Sequence, residues 1–184
     1  MPIPTDPAAA LHLVEIDIRL GGETFVMPVR TAADWIAATQ SHNGLVSGYL
    51  PGLLADEDRE HIAGRLIDGD LDRAEMHAAA WDLIAVGTGF DWWWVGHRLM
   101  CNLVAGWTQF GPRLVNLGHR FDQEPIAAAV LGMLGMIQEH AHSLEVADRQ
   151  RIISDLCMPP PELPDWDEQL QRVGELVLHD TAIT

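Results

Sequence analysis

The residue types best suited to chemistry in this chain are its nine histidines. The tightest group of them is the sequence Glu139-His140-Ala141-His142. Two residues apart on a helix point about 200° from each other, so His140 and His142 would not converge on one ion there. The sequence has no HExxH pattern, no paired cysteine motif and no EF-hand loop. We therefore predict no metal site and interpret this cluster as a polar helix end.

Motifs of phosphate binding and nucleophilic catalysis are also missing from the sequence. It contains no GxSxG, no P-loop and no GxGxxG. The short Gly87-Thr88-Gly89 sequence is followed by Asp91, which would repel a phosphate, so we interpret it as the end of a helix. The acidic run Asp56-Glu57-Asp58 is typical of a helix start. We predict no catalytic residues, no cofactor and a protein that is not an enzyme.

Three adjacent tryptophans, Trp92, Trp93 and Trp94, are the residues best suited to binding another protein. Consecutive helical residues diverge by roughly 100°, so one core-facing stripe cannot hold all three rings. We predict that Trp92 faces the core, that Trp94 lies on the opposite side with Arg98, and that Trp93 lies between. Arg98 follows Trp94 by four residues and could stack on its ring. The predicted protein interface is therefore Trp94, Trp93 and Arg98.

An aromatic-rich core is the competing explanation for the tryptophans. That explanation suffices for Trp35, Trp81, Trp92 and Trp107. For Trp94, an interface position is favoured as much as a core position, because tryptophan is enriched at binding hot spots, and for Trp93 it is favoured less.

Charge limits the classes of partner. The chain has 11 basic and 27 acidic residues, a formal net charge of −16, and no lysine. Binding to a nucleic-acid backbone needs clustered positive charge, whereas these arginines are scattered singly. We therefore expect neither nucleic acid nor an anionic membrane as a partner. A strong net charge favours solubility.

The remaining composition indicates a soluble cytoplasmic protein. Its 184 residues, 48% of them hydrophobic, suffice for one substantial core. The most apolar run, residues 126–137, is shorter than the ~20 residues that span a bilayer. No secretory signal is recognisable at the start of the sequence. Cys101 and Cys157 are predicted to be free, buried thiols.

Local patterns predict a mainly α fold with a small N-terminal β-hairpin and about five to seven helices. Two strand-like runs in residues 11–29 flank Gly21-Gly22. A capping box from Thr31 to Asp34 opens a first short helix, and a loop is predicted for residues 41–52. Further helices are predicted after Asp56, from residues 71 to 86, from the tryptophans toward Phe110, and over residues 126–140 and 144–156.

Several details of these helices are also predicted. Asp68-Gly69-Asp70 should end one helix and cap the next, and Asp91 should cap the helix of the tryptophans. Gly111-Pro112 should interrupt the chain. Gly132 and Gly135 should permit close helix packing. One core-facing stripe is predicted on the helix over residues 71–86, and it comprises Leu71, Ala74, Ala78, Trp81 and Ala85.

Three regions are predicted along the chain. Residues 1–40 form an N-terminal extension, the hairpin and the first short helix. Residues 41–157 form the helical core domain. Residues 158–184 form a proline-rich linker and a C-terminal helix, because proline runs favour stiff extended chain.

Segments of residues 13–140 occur in an order that resembles the tail assembly chaperones of siphophages infecting actinobacteria. The resembling segments are residues 14–28, 31–35, 50–54, 68–71 and 91–94. The resemblance does not extend to the segment after Met158.

The resemblance implies a non-enzymatic, mostly helical protein with two partners. It would bind the long tape measure protein, keep it soluble, and recruit the major tail protein during tail-tube polymerisation. Such proteins act in the host cytoplasm, are usually absent from the finished particle, and in some cases form homo-oligomers. The alternatives are a virion structural protein, such as a connector or minor tail protein, and a small helical metalloenzyme using His97, His119, His140 or His142.

Overall fold

The computed structural model describes residues 12–44, 46–161 and 163. In this part of the chain a two-stranded hairpin is followed by eight helices, which confirms the predicted fold class but exceeds the predicted helix number. The strands are β1 (Ile16–Leu20) and β2 (Glu23–Met27). The helices are α1 (Ala32–Ser41), α2 (Tyr49–Leu53), α3 (Asp56–Asp68), α4 (Arg73–Thr88), α5 (Trp93–Ala105), α6 (Trp107–Asn116), α7 (Ile126–His142) and α8 (Val146–Cys157).

The hairpin forms where the sequence predicts it. β1 and β2 pair antiparallel from Ile16 opposite Met27 to Leu20 opposite Glu23. Both residues of the turn, Gly21 and Gly22, have positive φ angles of 57° and 80°. A two-residue turn of this kind matches the twist of the strands and favours glycine at both positions. The inward side chains of the hairpin join the same hydrophobic core as the helices.

The first helix begins with the predicted capping box. The backbone N–H of Thr31 donates to Asp34 Oδ2 at 2.8 Å, and the reciprocal bond to the Thr31 side chain is present. The N–H groups of Ala32 and Ala33, which have no partner within the helix, donate to the carbonyls of Glu124 and Phe121. These bonds fix α1 against the chain that leads into α7, and they help hold Trp35 in the core at 1% exposure.

Two helices differ from the predicted arrangement, although a short helix before Phe121 is one of the two alternatives that the sequence leaves open. α2, preceded by a 3-10 turn at Val46–Gly48, forms within the expected loop over residues 41–52. The expected helix toward Phe110 divides at Gly106, and α6 continues through Pro112, which was predicted to interrupt the chain. Gly106 allows the division because a Cβ there would meet the Phe110 ring at 2.5 Å or less.

The orientation of α4 corrects one prediction. Its buried residues are Met76, Ala79, Ala80, Leu83, Ile84 and Thr88. Leu71, which precedes the helix, is buried as predicted. Within α4, however, Ala74 and Ala78 are exposed and Trp81 and Ala85 are half-buried, so this stripe is not the one that faces the core. The helix carries two apolar stripes, and the one with the larger side chains, Met76, Leu83 and Ile84, removes more apolar surface from water.

The residues at the N-cap positions of α4 and α5 are one or two positions away from the predicted ones. Gly69, with a φ of 78°, ends α3 as expected, but Asp72 rather than Asp70 caps α4. The Asp72 side chain accepts from Ala74 N at 2.9 Å, and Glu75 completes the box. At α5 the N-cap position is Trp92, not Asp91.

The last two helices agree closely with the predicted ranges. Gly132 of α7 permits close packing, since a Cβ there would lie 2.5 Å from His119 Nε2 and 2.7 Å from Leu114 Cδ2. Gly135 has open space around it, so the prediction for Gly135 was wrong. The three-region division stays a prediction, and residues 164–184 with their expected helix lie outside the described residues. Among the described residues, none of the helices combines the length and the hydropathy that a membrane span requires.

Candidate interaction site

The tryptophan triplet lies at the start of α5, where the helical step does not apply to all three residues. Trp92 precedes the helix with φ −85° and ψ 88°, which lets its ring stack on that of Trp94 at 5.6 Å between centroids and 12° between planes. Trp92 is buried at 9% exposure, as predicted. Trp94 is buried at 4%, so the prediction that its ring faces away from the core was wrong.

Helix α8 covers Trp94 and Arg98. The indole N–H of Trp94 donates to the carbonyl of Cys157 at 3.0 Å. The Arg98 guanidinium donates to the carbonyls of Asp155 and Leu156 at 3.1 and 2.9 Å. These carbonyls lie in the last turn of α8, where no backbone N–H of the same helix is available to bond them. Trp94 and Arg98 lie on one side of α5, as predicted. That side contacts α8 of the same chain. Their role in binding a partner stays a prediction.

Trp93 and Trp81 form the outer part of the tryptophan cluster. Trp93 is half-buried and stacks on Trp81 of α4 at 5.2 Å and 9°. The exposed His77 also stacks on Trp81, with 6.4 Å between ring centroids. We call His77, Trp81 and Trp93 the aromatic patch. The sequence predicts a core position for Trp81, but its ring is half-buried and lies on the same stripe of α4 as the exposed Ala74 and Ala78.

His97 and Cys101 make a contact that sequence analysis did not consider, although their four-residue spacing on a helix indicates it. The two side chains lie 3.5 Å apart at Cys101 Sγ and His97 Nε2. His97 Nε2 also lies 2.7 Å from the Gly44 carbonyl, which can only accept, so this nitrogen carries the proton. Burial lowers the pKa of His97 and raises that of the Cys101 thiol. A thiol that is activated as a nucleophile has a lowered pKa, and the shift of Cys101 is in the opposite direction.

The other histidines named as metalloenzyme candidates are held separately. His119 Nδ1 pairs with the Glu124 carboxylate at 3.1 Å, between α6 and α7. His142 Nδ1 lies 2.7 Å from the Gln138 carbonyl, and α7 runs through both His140 and His142. Among the described residues, no three His, Cys, Asp or Glu side chains are grouped so that they could hold a metal ion.

A groove of about 590 Å³ lies where α5, α6, α7 and α8 meet, and we call it the α5–α8 groove. Apolar side chains from all of these helices except α5 form its floor, and the half-buried Cys101 of α5 opens onto it. Its lining also includes the charged residues Arg98, Arg113 and Asp155 and the imidazole of His140. The apolar lining residues are Phe110, Met136, Ile137, Ile152 and Leu156.

Comparison with known proteins gives no relative. The chain matches no protein-family model, no curated protein and no solved structure.

Proposed function

We propose that this chain is a tail assembly chaperone of a siphophage. It binds and solubilises the tape measure protein and recruits the major tail protein while the tail tube assembles. It works in the host cytoplasm and leaves before the virion is complete. The resemblance over residues 13–140 supports this proposal, and the outward stripe of α4 beside the aromatic patch is the structural observation that carries it.

The outward stripe of α4 has the composition of a binding surface. Ala74 and Ala78 are exposed and small, so another chain can approach the helix closely there. Trp81 borders them, and its stacking on Trp93 holds its ring in one orientation. A tryptophan that is already held in place loses little conformational freedom on binding, which favours affinity. The apolar stretches of an unassembled tape measure protein are the occupant that we assign to this surface.

Charge supports a solubilising role. The net charge of −16 makes this protein a strongly negative component of any complex that it forms. Complexes of the same sign repel one another, which opposes aggregation of an apolar client.

Co-expression with the tape measure protein encoded beside it tests the proposal. We expect the tape measure protein to become soluble and to co-purify with this chain. Trp81→Ala should reduce co-purification at least several-fold, because truncation of a hot-spot tryptophan costs about 2 kcal/mol or more of binding.

Ile67→Ala is the matched control, since Ile67 is an isolated apolar residue on α3 with 85% exposure. It should co-purify like the unmodified chain. A tape measure protein that stays insoluble would contradict the proposal. Mass spectrometry of purified particles distinguishes the alternative of a virion structural protein, because a chaperone is absent from them.

A further inference from the structure

The outer edge of β1 carries backbone groups that β2 does not pair. The two strands form a sheet of their own, and Leu20 and Glu23 close its two-residue turn. Such a closing pair exchanges both of its hydrogen bonds, and backbone groups that point inward and outward then alternate along the strand. Ile18 therefore bonds to β2, whereas the N–H and C=O groups of Asp17 and Arg19 point away from it. In the described ranges, no backbone group elsewhere bonds these outward groups.

A groove of about 310 Å³ runs along this edge, between β1 and α4. Four consecutive residues of β1, 16–19, line it. Successive side chains of a strand point to opposite faces, so a lining of consecutive residues places the groove beside the strand rather than on one face. Its other wall is α4, including Leu83 and Val86, and the Val86 side chain is 58% exposed. The edge of β1 therefore opens onto space that another strand can enter.

A further strand is the natural occupant of such an edge. An unpaired edge binds extended chain because the added strand supplies the missing backbone hydrogen bonds. A sheet of two strands also has fewer than the three or more that a stable sheet usually needs. The exposed side chains beside the edge are Asp17 and Arg19, and none of the ion pairs among the described residues includes either of them. The occupant should therefore present one positive and one negative charge.

The β1 strand of a second copy has these charges at the matching positions. When two copies pair antiparallel about a two-fold axis at Ile18, Asp17 of each lies opposite Arg19 of the other. Both residues have outward backbone groups, so they form the hydrogen-bonded pairs of the new ladder. Opposite charges that face each other across two strands stabilise the pair, and like charges destabilise it.

Other registers of the same two strands fit less well. A shift of two residues places Asp17 opposite Asp17, or Arg19 opposite Arg19, so that like charges meet. A shift of one residue turns the buried face of one strand outward. The register centred on Ile18 avoids both, because the buried Ile16 and Leu20 then lie opposite each other on the core side.

We propose that this protein forms a homodimer in which the outer edges of two β1 strands pair antiparallel in this register. The result is a four-stranded sheet with the order β2–β1–β1–β2. This inference goes beyond the proposed function and does not depend on it, because it concerns the chain alone.

Charge reversal at either position tests the pairing in the full chain. Asp17→Arg and Arg19→Asp each place like charges opposite one another at two positions of the homodimer. Each should raise the dimer dissociation constant by about tenfold, since two attractive pairs become repulsive. Sedimentation equilibrium measures the constant, and thermal unfolding checks that the variants are folded. The control is Glu139→Arg, the same change of charge at an exposed residue of α7, and it should leave the constant unchanged.

A mixture of the two charge variants gives the sharper result. The Asp17→Arg chain carries two positive charges beside the edge, and the Arg19→Asp chain carries two negative ones. The mixed dimer therefore has opposite charges at both positions. The mixture should dimerise about as well as the unmodified chain, although each variant alone does so weakly. A loss of folding in either variant cannot produce this rescue.

Amide hydrogen exchange identifies the edge that pairs. The N–H groups of Asp17 and Arg19 should be protected in the dimer and should exchange rapidly when dilution gives the monomer. The N–H of Ile18 bonds to β2 and should be protected in both states.

Three results would overturn the proposal. The first is a chain that stays monomeric at every concentration at which it is soluble, which would leave the edge to a segment of another protein. The second is a dimer that both charge reversals leave unchanged, or whose Asp17 and Arg19 amides exchange as in the monomer, which would place the contact on another surface. The third is a mixture that dimerises no better than either variant alone.

Discussion

The indole nitrogen of Trp94 lies 3.0 Å from the carbonyl oxygen of Cys157, and this hydrogen bond joins the first turn of α5 to the last residue of α8. Both residues are buried, so water cannot easily reach either group if the bond breaks. Loss of the bond would therefore leave a buried polar group unsatisfied, which costs free energy of folding. Arg98 adds bonds to the two preceding carbonyls. The end of α8 is therefore held by side chains of α5.

Trp94→Phe should lower the free energy of unfolding by about 1–3 kcal/mol, because it leaves the buried Cys157 carbonyl without its donor. Trp94→Ala should cost more, about 3–5 kcal/mol, since it also leaves a cavity. Denaturant unfolding at constant m-value measures both. Trp93→Phe is the control, and its half-buried ring should make the loss smaller than for Trp94→Phe. Equal losses for the two phenylalanine variants would contradict the role of the hydrogen bond.

Gly132→Ala and Gly135→Ala should have opposite effects, although both residues lie in α7. A Cβ at 132 meets His119 and Leu114 at 2.5 and 2.7 Å, so those side chains must shift, and overpacking of this kind costs about 1–3 kcal/mol. A Cβ at 135 meets nothing within 4 Å, so the higher helix propensity of alanine should stabilise the protein by about 0.5–1 kcal/mol. Thermal unfolding measures the two shifts, and two shifts of the same sign would count against the packing at Gly132.

The free energy of unfolding should decrease below about pH 6.5, in part because protonation of His97 is less favourable in the folded protein than in the unfolded chain. Burial lowers its pKa in the folded protein from 6.5, so the unfolded chain binds the proton more tightly. The stability from neutral His97 is fully present above about pH 6.5 and is lost as pH falls toward the folded pKa, by at most about 1.4 kcal/mol per pH unit. His97→Gln keeps a donor for the Gly44 carbonyl but does not titrate.

The difference in unfolding free energy between the unmodified chain and His97→Gln should therefore change between pH 7.5 and 5.5. The unmodified chain should lose more stability over that interval. Parallel pH profiles for the two proteins would show that His97 does not have the lowered pKa.

Asp72→Ala should destabilise the protein by about 0.5–2 kcal/mol, because Asp72 accepts the bond from Ala74 N that caps α4. Asp70→Ala is the comparison, two residues earlier in the same exposed connection, and it should change the stability by less than about 0.5 kcal/mol. Urea unfolding of the two variants checks the assignment. A larger loss of stability for Asp70→Ala would show that Asp70 caps α4, as the sequence predicts.

Local chemistry in the sequence was sufficient to predict the hairpin, the Thr31–Asp34 capping box and most helix ends. Each of these depends on residues a few positions apart: Gly21 and Gly22 determine their turn, and Asp34 bonds to Thr31 three residues earlier. The periodicity of α4 was also recognised correctly. Its orientation was not, because a helix with two apolar stripes can bury either of them, and the choice depends on what packs against it.

The position of Trp94 could not be predicted in the same way. The periodicity argument assumed that the helix included Trp92, whereas α5 begins one residue later and the two rings stack. The residue that covers Trp94 is 63 positions further along the chain. Nothing in the neighbourhood of Trp94 indicates that contact.

This separation has a consequence for the order in which the protein forms during synthesis. Chains are made from the N-terminus, and α5 is complete long before α8 leaves the ribosome. Until then the Trp94 ring lacks the helix that covers it. A nascent chain that pauses between α5 and α8 therefore lacks the partner of the Trp94 indole N–H that the finished protein provides.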